Sequence, residues 1–169
     1  MVEWAADHDG PVYLRLGREG VPDVLPDGEF RIGQPVVLRE GADGVVISTG
    51  VQTARVVEAL DAGAFDLTHV HLPTIKPLDD DALVSLLDGH SRVLTVEEHS
   101  VLGGLGSLVA ELVAERLPGV QVTRHGLEDR WSESGPNDFL LDRYGLSAER
   151  VSERVARWLG DRSSAKPKS

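Results

Sequence analysis

The stretch from Val93 to Leu117, VLTVEEHSVLGGLGSLVAELVAERL, most constrains how this chain can fold. Val93, Leu94 and Val96 make a short apolar run of β-formers. Gly103, Gly104 and Gly106 then permit a tight turn and a close backbone approach. Leu105, Leu108, Val109, Leu112 and Val113 follow at spacings of three and four, the buried stripe of an amphipathic helix. This order predicts a parallel α/β unit. Glu97, Glu98, His99 and Ser100 then fall at the strand's carboxyl end, where open α/β sheets place their ligand crevices.

The glycines admit two readings. A glycine turn opening a helix can cradle phosphate on the helix N-terminus. Here Val109 stands where the dinucleotide fingerprint requires a third glycine, and no lysine follows as in a P-loop. Close helix-to-strand packing, or a subunit contact, is the better reading.

The rest of the chain repeats the alternation. Val12, Leu14 and Leu16 alternate with Tyr13 and Arg15 as a short strand, and two prolines between Pro22 and Gly28 mark a linker. Residues 1–10 read as a polar tail. Val36–Arg39 and Val45–Ser48 predict an antiparallel hairpin. A helix with Val51, Ala54, Val57 and Leu60 buried follows, then a strand over Leu67–Leu72. Asp79, Asp80 and Asp81 open a helix whose apolar side is Ala82, Leu83, Leu86 and Leu87. After the central unit come a strand with Val120, Val122 and His125, a polar loop, and a short helix over 137–144 closed by Gly145. Ser147 caps a last helix carrying Val151, Val155 and Leu159, with Trp158 beside the stripe. The expected fold is three-layer α/β: a mostly parallel five-stranded sheet with one antiparallel edge strand. Residues 161–169 read as a disordered tail.

With 169 residues, 41% of them hydrophobic, the chain suits one such domain plus a fragment of another. The opening strand, followed at once by a linker, cannot form a core alone and should complete a sheet elsewhere. A net charge of −11 argues against nucleic acid and anionic membrane as partners. The chain has no cysteine, no signal-like start and no membrane-length apolar run, so a cytoplasmic location is expected.

Few patterns point to chemistry. Glu97, Glu98 and His99 form the densest polar cluster, with Glu98 on the strand face opposite the other two. They suit a general base or polar network, or else an ordinary solvated loop start. His69 and His71 share a strand face, but two imidazoles are half a metal site, and no metal is assigned. Arg18 at a strand end suits phosphate or carboxylate recognition, or a plain surface ion pair. Asp129, Arg130, Glu133 and Ser134 could shape an interface or a site mouth.

VEEHSVLGGLGSLVAE, PTIKPLD and GLEDRWSESG, in this order and spacing, resemble the C-terminal domain of the transketolase family, and the short C-terminal subunits of split transketolases in particular. GPVYLRLGREGVP resembles the last strand of the preceding pyrimidine-binding domain. The resemblance implies residues 1–29 as that strand and linker, and 30–160 as the C-terminal domain. It implies transfer of a two-carbon ketol unit between a ketose and an aldose, usually phosphorylated. Thiamine diphosphate and Mg2+ would be held by partner chains carrying the pyrophosphate- and pyrimidine-binding domains, in a dimer of heteromers. No residue of this chain would be catalytic, and the chain alone would be inactive. Leu16-Gly17-Arg18 matches the family's Leu-Ser-Arg-like turn, which makes Arg18 the candidate substrate-phosphate contact. Glu98, His99, Gly103, Gly104, Gly106 and Arg130 are candidate interface or polar-cluster residues. The alternatives are a non-catalytic scaffold, a 2-oxo-acid dehydrogenase beta-type component, or a 1-deoxyxylulose-5-phosphate synthase-type component.

Overall fold

The computed structural model describes residues 1–17, 20–27 and 31–160. Its element order is α1 (Val2–Asp7), β1 (Val36–Arg39), β2 (Val45–Ser48), α2 (Gln52–Ala62), β3 (Thr68–His71), α3 (Asp80–Leu87), β4 (Arg92–Ser100), α4 (Leu105–Arg116), β5 (Gln121–Leu127), α5 (Asn137–Arg143) and α6 (Ala148–Gly160). The five strands form one sheet in the order β1-β3-β2-β4-β5. Four run parallel, and β1 lies antiparallel to β3 at one edge.

Strand alternation divides the core in two. Val45, Ile47, Val70 and Val93 point to the side packed by Leu83 and Leu87 of α3 and by Leu105, Val109 and Val113 of α4. Val46, Leu94 and Val96 point to the opposite side, against Val56 and Leu60 of α2 and Val151, Val155 and Trp158 of α6. β2, β3 and the apolar part of β4 are buried on both faces, as parallel strands between two helical layers must be.

Helix ends follow local chemistry. The Asp79 carboxylate accepts from the Ala82 N–H at 2.9 Å, with Asp80 and Asp81 in the first turn of α3. Ser147 Oγ accepts from the Arg150 N–H at 3.3 Å at the start of α6. The turn before α6 is tied down from two sides. Gln52 Nε2 donates to the Leu146 carbonyl, and His125 Nε2 lies 2.7 Å from the Gly145 carbonyl.

Several expectations need correction. β1 and β2 are not a hairpin, because β3 lies between them. Their connection crosses the start of β3 and bonds to it: Gly41 exchanges two hydrogen bonds with the Thr68 hydroxyl, and the Asp43 N–H donates to the Asp66 carbonyl at 2.7 Å. Gly41 packs so tightly on the Leu67 backbone that a side chain there would overlap it. The buried face of α2 is Gln52, Thr53, Val56, Ala59 and Leu60, because the two polar residues find partners inside. In α6, Trp158 rather than Leu159 completes the stripe, filling the space over Gly44 with Arg92 stacked on its ring. Residues 2–7 are helical rather than a featureless tail. Residues 11–17 form neither strand nor helix and pair with no sheet among the described residues, leaving Tyr13 and Leu16 exposed. The linker boundary at 28–30 and the tail at 161–169 lie outside the described residues.

Thr95 Oγ1, in the middle of β4, is buried without a hydrogen-bond partner. A buried hydroxyl in that state costs about 1–3 kcal/mol. Thr95→Val is expected to stabilise the protein by about 1 kcal/mol, read as a higher urea midpoint at an unchanged m-value.

Candidate functional site

Parallel strands β2, β3, β4 and β5 all end at one edge of the sheet, and the sequence-predicted polar residues gather there. Glu97 is 1% exposed. Its carboxylate accepts from the Leu105 and Gly106 N–H groups, both at 2.8 Å. These are orphan donors of the first turn of α4, so the helix carries its own anion at its positive end. The three glycines serve this arrangement in different ways. Gly103 has φ +74, a left-handed turn position open to glycine. A side chain on Gly104 would overlap the Glu97 carboxylate. A Cβ on Gly106 would lie 2.8 Å from Thr95 Oγ1 and 2.7 Å from Arg124 Cγ. The phosphate-cradle reading therefore fails for a physical reason: a protein carboxylate already occupies the cradle.

Glu98 points the other way and pairs with the Arg55 guanidinium of α2, which also donates to Gln52 Oε1 at 2.9 Å. His99 is partly buried, and its carbonyl lies against Gly126 of β5. The structure thus separates Glu97 and Glu98 to opposite faces, into two unconnected tasks. Arg130 lies on the loop after β5, 3.5 Å from the Glu128 carboxylate and over the Tyr144 ring. It borders a cleft of about 190 Å³ lined by Ser100, Leu127, Glu128, Asp129, Ser132 and Tyr144. Arg18 lies outside the described residues.

A second polar group was only half legible. His69 and His71 are both buried and lie in one hydrogen-bonded chain with two hydroxyls. His69 Nε2 is 2.8 Å from Ser48 Oγ, Ser48 Oγ is 2.9 Å from Thr53 Oγ1, and Thr53 Oγ1 is 2.8 Å from His71 Nδ1. Three bonds need three protons, and the two hydroxyls supply two. One imidazole must therefore donate into the chain while the other accepts from it. Burial, then the neighbouring His71 and Arg39, lower the His69 pKa to about 3. Burial lowers that of His71 to about 4, opposed by a contact with the Ser48 backbone. Burial also lowers that of His125, opposed by the Gly145 carbonyl. Ser48 and Thr53 flank the β2–α2 turn. Only the in-register parallel pairing of β2 with β3 brings them to the histidines.

Taken together, this edge is filled by its own side chains. Its buried carboxylate is engaged by backbone, its buried hydroxyls are engaged by neutral imidazoles, and no group of three or more His, Asp or Glu among the described residues could hold a metal ion. The arrangement fixes the geometry of this edge. No helix among the described residues is long and apolar enough to cross a membrane.

Two outcomes are expected. Glu97→Ala should destabilise the protein by about 3 kcal/mol, since it strands two buried N–H groups, and Glu97→Gln by less, since its amide oxygen still accepts. Urea titration of the three proteins checks the order. The histidines make stability pH-dependent. Unfolded, they bind protons below their ordinary pKa of 6.5; folded, they stay neutral down to about 4 and about 3. Stability should therefore fall as pH drops below 6.5, at up to about 1.4 kcal/mol per pH unit for each histidine. Urea midpoints between pH 7 and pH 4.5 measure the slope, and His69→Gln with His71→Asn should flatten it.

Comparison with known proteins agrees with this architecture. The family model for the transketolase C-terminal domain matches residues 33–151. The 6-deoxy-6-sulfo-D-fructose transketolase subunit SqwH of Clostridium sp. is 38% identical over 152 residues, covering 85% of this chain and 46% of that protein. An apulose-4-phosphate transketolase subunit of Actinobacillus succinogenes is 32% identical over 156 residues, covering 89% of this chain and 50% of that protein. A solved structure described as a split gene transketolase, inactive beta4 tetramer, superposes with a TM-score of 0.83 at 42% identity, covering 94% of this chain and 53% of that one. The chain thus spans about half the length of these relatives. The chain belongs to the transketolase C-terminal domain family.

Proposed function

We propose that this chain is the C-terminal component of a split transketolase-type enzyme that moves a two-carbon ketol unit between sugars, usually phosphorylated. Thiamine diphosphate and Mg2+ sit on partner chains bearing the pyrophosphate- and pyrimidine-binding domains. The observation that carries the reading is the filled carboxyl edge. The α4 N-terminus, where a diphosphate would otherwise be drawn, already holds Glu97. The described residues do not fit the cofactor. The cofactor supplies the carbanion chemistry, and this domain supplies position within the assembly. The descriptions of relatives as transketolase subunits, or as a split gene transketolase, support the reading of this chain as part of a split enzyme.

In this reading residues 1–29 belong with the pyrimidine-binding domain and 30–160 form the C-terminal domain. The alternating residues Val12 to Leu16 add a strand to that partner's sheet. The exposure of Tyr13 at 86% and Leu16 at 76% supports this, since such side chains gain by burial. Arg18 follows that strand and contacts the sugar phosphate.

Mixing this chain with the cofactor-binding chains should yield ketol transfer that none shows alone. Turnover by this chain alone would overturn the reading. Arg18→Ala in the assembled enzyme should raise KM for a phosphorylated ketose about 10- to 100-fold, the range for a lost charge-assisted hydrogen bond. An unchanged KM would favour a purely architectural role.

A further inference from the structure

We infer that Gly33, Gln34, Thr74 and Asp79 form a clamp that sets the direction in which the upstream segment leaves this domain, and so positions the domain against the cofactor-binding chains. This role rests on the proposed function, and the four act as positioning residues. Both backbone polar groups of Gly33 are spent on the β3–α3 loop. Its N–H donates to Thr74 Oγ1 at 2.8 Å, and its carbonyl accepts from the Asp79 N–H at 2.9 Å. Gln34 Nε2 then donates to Asp79 Oδ2 at 2.5 Å. Gly33 is buried at φ +80, a conformation open to glycine.

The clamp is anchored to the core through one carboxylate. Asp79 Oδ1 caps α3 by accepting from the Ala82 N–H at 2.9 Å, while Oδ2 holds Gln34. α3 in turn buries Leu83 and Leu87 against the sheet. The strand that follows the clamp holds the entering chain less firmly. β1 is a four-residue edge strand whose residues are all only partly buried, and its register to β3 shifts between Val37 and Arg39. Neither Gly33 nor Gln34 belongs to the hydrophobic core. Their bonds instead move the fixed point of the chain upstream, from the start of β1 at Val36 to Gly33.

Where that fixed point stands gives it a role. β1 begins at the carboxyl edge of the sheet, with Val36 opposite His71 at the end of β3. The segment upstream of the clamp therefore departs from this edge. Only residues 30–32 separate Gly33 from the portion read as belonging with the pyrimidine-binding domain, and three residues span at most about 10 Å. A tether released back to Val36 spans up to about 20 Å and is free to swing. The shorter lever on a rigid pivot transmits its angle. It also leaves less chain to order when the partner docks, and alignment of the parts of an active site is sensitive to shifts of about 1 Å.

Thr74→Val combined with Gln34→Leu removes two of the three bonds and leaves the Asp79 cap of α3 in place. Hydrogen exchange on the full chain alone reads the clamp itself. The Gly33 amide should be protected in wild type and exchange about 10-fold faster in the double variant, at an unchanged urea midpoint. Mixed with the cofactor-binding chains, the double variant should associate about 10-fold more weakly. At saturating chain and sugar it should lose about 10-fold in kcat with KM little changed. Thr74→Ser with Gln34 intact keeps the hydroxyl and should behave as wild type in all of these. An unprotected Gly33 amide in wild type, association and kcat indifferent to the double substitution, or losses that track a lowered urea midpoint would each overturn the inference. A wild-type chain that binds none of the cofactor-binding chains would overturn the proposed function and this role with it. Wild-type binding and turnover that the double variant matches would overturn the role alone.

Discussion

The Glu97 carboxylate on the first turn of α4 is the contact around which the rest of this domain is arranged. It joins the last buried residue of β4 to α4, one of the helices that cover one face of the sheet. Placing a charge there has a large desolvation cost, which two backbone hydrogen bonds and the helix dipole offset. The contact needs room, and the glycines provide it: Gly104 and Gly106 have no side chains to hold the backbone away. The same contact fixes where the Val101–Gly104 turn leaves the sheet, and so where Leu102 stands. One buried anion thus sets helix position, loop position and surface chemistry together.

On the other face, the fully buried polar groups are handled without charge. Ser48, Thr53, His69 and His71 satisfy one another in a closed interior line. Arg55 reaches Glu98 near the rim, where water still screens the pair. The edge that many α/β domains devote to a ligand is here devoted to holding α2, α4 and the 144–147 turn in place. That allocation is consistent with the proposal of a domain whose contribution is architectural.

How much of this was legible in the amino acids depended on how local the cause was. The β4–α4 unit could be read because strand, turn and helix are contiguous, and the glycine spacing excluded nucleotide motifs on its own terms. The helix opened by Asp79–Asp81 was legible for the same reason. The pairing of β1 was not, because it depends on β3 entering beside it some thirty residues later, and the apparent hairpin was a product of adjacency alone. The partners of His69 and His71 were hidden by register: period-two alternation puts the imidazoles on one face, but only the parallel alignment of β2 and β3 puts hydroxyls opposite them. On α2 the apolar pattern pointed one residue away from the true buried face, since Gln52 and Thr53 are buried through hydrogen bonds that hydropathy does not reveal. Trp158 was set beside its stripe and lies within it, drawn in by the gap over Gly44.

The insertion of β3 between β1 and β2 has a consequence for the order of events during synthesis. β1 leaves the ribosome first but has no ladder of its own until Thr68–His71 has been made. For that interval it is a short apolar ribbon beside a nascent β2, and pairing with β2 as a hairpin would be the nearest available error. Gly41 and the bonds of its loop to Thr68 reward only the arrangement with the later strand between them. The stabilising contacts of the connection between the first two strands therefore exist only once β3 stands between them.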